Sequence, residues 1–249
     1  MELERIADKK RVDYIIASIR KTIPDGGDVL DIGCGNGLIS TAVGAYGYKV
    51  LGVDVSEKTI AHAVQHNTLE NVRFKVIAAN GLIPEPYRYD AVICSEVLEH
   101  LLSPADLLAI VHTSLKNTGI LLVTVPNGRG PRELLVTRPV QLLQKSNGPV
   151  WRMIKRLKNV LGYKGTSVQS SADDLSHIHF FTQKDLLDLA AASGFRIENI
   201  QASNFIEQVF PFSLLARNSK YVQQLDSRAA DALPLVFTSG FMSTWKKRV

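Results

Sequence analysis

VLDIGCGNGLIS, residues 29–40, decides the fold. Apolar residues suited to a buried strand run into Asp31 and Ile32. A loop of Gly33, Cys34, Gly35, Asn36 and Gly37 follows before apolar residues resume. A strand, a glycine loop and a helix in that order bring backbone N–H groups and a helix N-terminus to the end of a parallel sheet, where nucleotide-like ligands bind. Glycines at the loop let the ligand approach the backbone closely, because no Cβ stands in the way.

The spacing of the loop narrows the ligand. It reads G-x-G-x-G, not the G-x-G-x-x-G of a dinucleotide fingerprint, and Asp31 stands two residues before the first glycine. A carboxylate there is awkward for a pyrophosphate and useful for a ligand with an ammonium group, which favours S-adenosylmethionine over NAD. In VLGVDVS, Asp54 falls 21 residues after Gly33, close to the spacing at which an acid grips a ribose diol. Alone, Asp54 reads equally well as a strand-end turn or helix N-cap. In register with the loop and Asp31, the ribose role is the stronger one.

Working outward, Val12, Ile15, Ile16 and Ile19 recur at helical spacing and predict an amphipathic helix over 8–22. The pattern then predicts strands at 28–32, 49–54, 72–77, 90–94 and 119–125, alternating with helices at 37–46, 57–67 and 104–115. Such alternation implies right-handed crossovers and a parallel sheet covered on both faces. After Pro126-Asn127-Gly128 the pattern breaks. It resumes at Thr182, a candidate N-cap for a helix over 183–193, and FRIENI suggests one more strand. The tail from 206 can add a last edge strand antiparallel to the rest. The expected architecture is a Rossmann-like, doubly wound α/β fold with a mostly parallel seven-stranded sheet, an antiparallel edge strand and a helical lid insertion. The chain reads as a single domain over 1–249, with a cofactor-binding core at 8–128, a basic lid insertion at 129–176 and the rest of the sheet at 177–249.

Composition bounds the class. Apolar residues make up 45% of the 249, ordinary for a globular core. No apolar run approaches the ~20 residues of a membrane helix, and the N-terminus lacks the pattern of a signal peptide. Two cysteines, Cys34 and Cys94, each ending an apolar run, suit a reduced, cytoplasmic protein. The net charge of +5 is local: residues 129–164 hold nine basic residues and one acid, Glu133, so that segment is +8 and the remainder −3. The segment therefore suits an anionic partner.

VLDIGCGNG, GVDVS, YDAVICSEVLEHL and GILLVTVPN resemble, in order, the motifs of class I S-adenosylmethionine-dependent methyltransferases. Within that superfamily the Arg11-Val12-Asp13-Tyr14-Ile15 segment and Cys94-Ser95-Glu96-Val97-Leu98-Glu99-His100-Leu101 are most similar to the ubiquinone-biosynthesis O-methyltransferase group. The resemblance covers about 8–128 and resumes at 177–200. It implies that Arg11 pairs with the cofactor carboxylate and that Asp31 and the backbone of Gly33, Cys34, Gly35, Asn36 and Gly37 hold the methionine part. It further implies that Asp54 binds the ribose, Val55 packs the adenine and Ser95 contributes backbone near the amino-acid end. Where relatives often carry an acid for the adenine amino group, this chain has Asn80, which can accept through its amide oxygen or serve as a turn residue.

Methyl transfer is a displacement that depends on alignment, and a hydroxyl acceptor gains from a base near neutral pKa. His100 suits that role. If a helix begins near Ser95, Glu96, Glu99 and His100 share one face. Three readings follow: His100 as base oriented by a glutamate, a divalent metal held by the three, or acids complementing a helix N-terminus beside a structural histidine. In SHIHFFT, the resemblance implies that His177 faces the acceptor, where a structural histidine is the alternative, and alternation puts His179 on the same face of an extended segment.

Over 150–161, Val150, Ile154, Leu157 and Leu161 share one helical face, and Arg152, Lys155, Arg156 and Lys158 lie mostly off it. This basic amphipathic helix suits a lid first, with peripheral contact with an anionic membrane surface as the second reading. The expected activity is methyl transfer from S-adenosylmethionine to a small-molecule acceptor, at a hydroxyl oxygen. The rivals are an RNA methyltransferase gripping through the basic insertion and a non-catalytic cofactor binder. A basic segment with one tryptophan and one tyrosine lacks a stacking series for nucleic acid, so no nucleic-acid partner is expected.

Overall fold

The computed structural model describes residues 5–78, 81, 85–86, 88–140, 177–207, 209 and 212–248. Helix α1 (Ile6–Thr22) precedes β1 (Asp28–Ile32), α2 (Leu38–Gly44), β2 (Lys49–Asp54), α3 (Glu57–His66), β3 (Val72–Val76), β4 (Tyr89–Ser95), α4 (Pro104–Ser114) and β5 (Leu115–Pro126). After the insertion come α5 (Gln183–Ala192), β6 (Phe195–Ala202), α6 (Phe212–Asn218), α7 (Lys220–Ala232) and β7 (Gly240–Lys247). The seven strands lie in the order β3-β2-β1-β4-β5-β7-β6. Strands β1 to β5 pair in parallel. The expected antiparallel pairing is present on the far side: β7 from the tail runs against both β5 and β6, with β6 at the edge.

The order reverses between β1 and β4, because the chain builds outward to β3 and then returns to the other side of β1. That reversal opens a crevice at the strand ends, and the glycine loop after β1 lies there. The central strands are buried on both faces, which is why they read as continuous apolar runs. The pleat divides them: Ala91, Ile93, Ile120 and Leu122 pack with Ile15 and Ile19 of α1 and Val43 of α2. Val92, Cys94, Leu121 and Val123 pack with Leu108 of α4, Leu186 of α5 and Trp245 of β7. Each fully buried side chain of this size contributes about 1.5–3 kcal/mol of hydrophobic stabilisation.

Thr182 is the expected N-cap. Its hydroxyl accepts from Asp185 N (3.2 Å), and the Asp185 carboxylate accepts from Thr182 N (2.9 Å), a reciprocal capping box. Strand β5 starts at Leu115, four residues earlier than its apolar run suggests. Helices α6 and α7 escape the sequence pattern because α7 buries polar residues. Gln223 accepts from Ile6 N (2.9 Å), and Asp226 accepts from Phe205 N and Ile206 N (2.8 and 2.7 Å), so α7 ties α1 to the loop after β6. The segment expected as a lid insertion, 129–176, is described only to Val140. It is helical from Pro131, with a π turn at Glu133–Thr137. The basic stretch 150–161 lies outside the described residues.

Candidate active site

The glycine loop folds back on β2, where Gly33 N and Cys34 N donate to Val53 O (2.8 and 3.0 Å). Gly33, Gly35 and Gly37 have φ of 68°, 54° and 79°, a region that side-chain-bearing residues rarely occupy. A Cβ on Gly37 would stand 2.4 Å from Phe74 Cζ. Asp54 closes the loop: one carboxylate oxygen accepts from Gly35 N and the other from Ser56 N, both at 2.9 Å. Each oxygen keeps a second lone pair for a hydroxyl. Beside it Val55 is 59% exposed, an uncovered apolar side chain suited to the face of a base. These features fit an adenosine. Asp31 differs from expectation: it is 1% exposed and accepts from Ser40 Oγ at 2.6 Å, so its carboxylate faces the interior beneath the loop. Burial pushes its carboxyl up to about 7. Burial likewise raises the thiols of Cys34 and Cys94, and both are free and buried. Asn80 lies outside the described residues.

Arg11 reaches the crevice from α1. Its guanidinium donates to Asp8 at 2.8 Å and lies 3.7 Å from Glu96 Oε1, while its buried Nε has no acceptor. Ser95, buried at the end of β4, shares a hydroxyl contact with Thr124 (2.9 Å). Glu96 follows with φ 57°, the one non-glycine residue at positive φ among the described residues. Such strain costs about 1–3 kcal/mol and collects at functional sites.

This left-handed residue corrects the expectation of one helical face for Glu96, Glu99 and His100. It turns the chain so that Glu96 accepts from Thr124 Oγ1 (3.0 Å) on the Arg11 side, and only Leu98–His100 forms a helical turn, of 3-10 type. Glu99 and His100 instead meet His177. One ligand-type atom from each of Glu99, His100 and His177 lies within 4.8 Å of the others. Ile178 N and His179 N donate to Glu99 O (2.8 and 3.0 Å), which pins the histidine segment over the β4 tip. The His100 and His177 rings meet edge to face with centroids 5.1 Å apart. His179 turns away and stacks on Phe181.

Glu133 completes this cluster and was not among the sequence candidates. It is fully buried with Oε1 3.5 Å from His177 Nδ1. Its signal was present: it is the one acid in a strongly basic stretch. Neither carboxylate oxygen of Glu99 or Glu133 has a hydrogen-bond partner. Burial, with Glu96 adding to it, pushes the Glu99 carboxyl well above the usual range. Buried polar groups are almost always satisfied, so a site of this kind is built to receive a proton, a cation or ligand hydroxyls.

A family described as a methyltransferase domain matches residues 5–200. The ubiquinone biosynthesis O-methyltransferase of Leptothrix cholodnii is 36% identical over 131 residues, 51% of this chain and 54% of that protein. The protein of the same name from Dechloromonas aromatica is 32% identical over 153 residues, 58% of this chain and 64% of that one. The matched segment thus spans about half to two thirds of these relatives' length. Among solved structures, an S-adenosylmethionine-dependent methyltransferase from Mesorhizobium loti superposes with TM-score 0.58 at 18% identity, covering 95% of this chain and all of that one. Magnesium protoporphyrin IX methyltransferase from Synechocystis, solved with bound S-adenosylhomocysteine, gives 0.56 at 16% identity, covering 98% and 84%. These likenesses carry the fold.

Proposed function

The chain belongs to the methyltransferase domain family, and on that premise we propose that it transfers a methyl group from S-adenosylmethionine to a hydroxyl oxygen of a small molecule. The observation that carries this reading is the pairing of two half-sites at neighbouring strand tips. One is the Asp54-closed glycine loop beside exposed Val55, the other the buried Glu99, His100 and His177 group at the end of β4. Similarity to the O-methyltransferases supports oxygen as the acceptor atom.

When bound, S-adenosylmethionine supplies an activated methyl on a sulfonium. Asp54 accepts the ribose hydroxyls, Val55 packs against the adenine, and the positive-φ glycines open the backbone to the methionine part, whose carboxylate pairs with Arg11. Asp31 acts from beneath, fixing the loop through Ser40. Transfer in line requires the acceptor oxygen to be held and partly deprotonated. His100 or His177 takes that proton, and Glu99 stabilises the imidazolium formed. A second reading has its own support. Glu99, His100 and His177 offer an oxygen and two nitrogens around one point, a donor set suited to a divalent ion that would orient the acceptor.

Transfer of radiolabelled methyl from S-adenosylmethionine into a host-cell extract, followed by fractionation, tests the activity. Label in small molecules supports it; label confined to acid-precipitable RNA or protein overturns the substrate class. Loss of transfer with EDTA and recovery with one divalent ion would favour the second reading. The sequence of 150–161 further supports peripheral contact of a cytoplasmic protein with anionic membrane. Sedimentation with phosphatidylglycerol vesicles is the expected result, and protein left in the supernatant would refute it.

A further inference from the structure

Beyond the glycine loop, a cavity opens at the tips of β4, β5 and β7, between the start of α1 and the loop after β6. It encloses about 400 Å³ of space, its open mouth included, and none of the loop glycines lines it. Its lining is mixed: Pro126, Phe241 and Met242 supply apolar walls, and the polar members include Arg11, Arg132, Glu96, Thr124, Asn204 and Ser239.

The hydrogen bonds within this lining are asymmetric. Asn204 is 5% exposed, its Oδ1 accepts from Ser203 Oγ (2.9 Å), and its backbone oxygen accepts from Ser239 N (2.8 Å). The side-chain amide is thus held through Oδ1 and the residue's backbone through Ser239, yet buried Nδ2 has no acceptor. Arg11 Nε is buried and unpaired in the same way, although the rest of that guanidinium is occupied by Asp8 and Glu96. The hydroxyls are the converse. Ser203 donates to Asn204, Ser239 to Phe205 O and Thr124 to Glu96, so each has spent its proton and keeps lone pairs. The cavity therefore offers N–H donors and a second guanidinium, Arg132, to a group with oxygens only. It also offers acceptor oxygens to hydroxyl protons.

We propose that this cavity binds a carboxylate or phosphate on a hydroxylated methyl acceptor, with Asn204 Nδ2 as the donor and Arg132 as the charge, Arg11 being left to the cofactor's carboxylate. The assignment of the oxyanion to the acceptor rests on the methyltransferase reading; the oxyanion site itself does not. Its place follows from the topology. The cavity lies past β4, on the side away from β1, and Arg132 is close enough to Glu99 to favour the ionised form of that buried carboxylate. An acceptor anchored there would present a neighbouring hydroxyl toward His100 and His177. A charged anchor also sets the acceptor class apart from a neutral apolar ring.

The test uses the full chain saturated with S-adenosylhomocysteine and three probes in saturation-transfer NMR titrations: D-glucuronate, D-glucose 6-phosphate and neutral D-glucose. At least one anionic sugar is expected to bind roughly tenfold or more tightly than glucose, the scale of one hydrogen bond to a charged group. The tighter of the two identifies the anion. Asn204→Leu should remove that preference. Isosteric Asn204→Asp, which puts a carboxylate oxygen where the donor was, should remove it with the melting temperature preserved. Equal binding of all three probes overturns the proposal, as does a preference that survives in both variants. Displacement of the anion by S-adenosylhomocysteine would also overturn it, assigning the donor to the cofactor's own carboxylate. If S-adenosylhomocysteine does not bind, the methyltransferase reading fails, and the preference measured on the same protein still decides the oxyanion site.

Discussion

Asp54→Asn tests the cofactor half most sharply. The native carboxylate holds Gly35 N and Ser56 N at 2.9 Å, and in the proposed complex its remaining lone pairs accept two ribose hydroxyls. Asparagine keeps the size but loses the charge, and its amide NH2 replaces one of the two acceptor oxygens. One loop N–H then faces a donor, and one ribose hydroxyl loses its acceptor while the other keeps a neutral one. Hydrogen bonds to charged groups contribute about 1.5–3 kcal/mol each. Losing one and weakening the other removes roughly 3 kcal/mol of binding, about a hundredfold in Kd for S-adenosylhomocysteine. Asp54 is half-buried, so the orphaned loop N–H costs the ligand-free protein only ~1 kcal/mol, a fall of about 2–4 °C in Tm for a domain of this size. Titration calorimetry gives the first quantity and a thermal melt the second. A variant that melts within that range yet binds S-adenosylhomocysteine within about threefold of the native protein would show that Asp54 shapes the loop and does not grip the ligand.

Other predictions follow from the same geometry. Asp31 is held up to about 7 by burial against about 3.9 when unfolded, so the native state binds the extra proton between these values and stability falls as pH rises from about 4 to about 7. Asp31→Asn removes that slope. Urea unfolding at about pH 5 and about pH 8 should show the native protein losing roughly 2–3 kcal/mol more than the variant, and parallel losses would refute the assignment. Gly37→Ala combines φ 79° with a Cβ 2.4 Å from Phe74 and should cost about 1–3 kcal/mol by chemical denaturation; an unchanged midpoint would contradict the strained loop. Glu96→Gly relieves the one strained non-glycine position among the described residues but gives up the contacts to Thr124 and Arg11. Methyl transfer should fall at least tenfold, with stability within about 1 kcal/mol of native; full activity would remove Glu96 from the site.

Much of the cofactor half was legible because its determinants are local. Gly33, Gly35 and Gly37 announce backbone conformations that side chains disfavour, and Asp54 ends the second strand of the alternating pattern. The acceptor half was less legible. Glu96, Glu99 and His100 look like one helical face on spacing alone; a single left-handed φ at Glu96 separates them. His177 was a candidate by its motif, but its partner Glu133 is 44 positions away across the insertion.

Hydrophobic period and glycine placement act over a few residues, so the parallel sheet, its glycine loop and the acid at β2 can be read along the chain. Tertiary structure alone decided that Asp31 is buried under Ser40, that β7 enters between β5 and β6, and that Asn204 and Arg11 face one cavity with donors unspent. Those outcomes depend on which distant polar atoms find partners once the core has closed, and no periodicity along the chain encodes that matching.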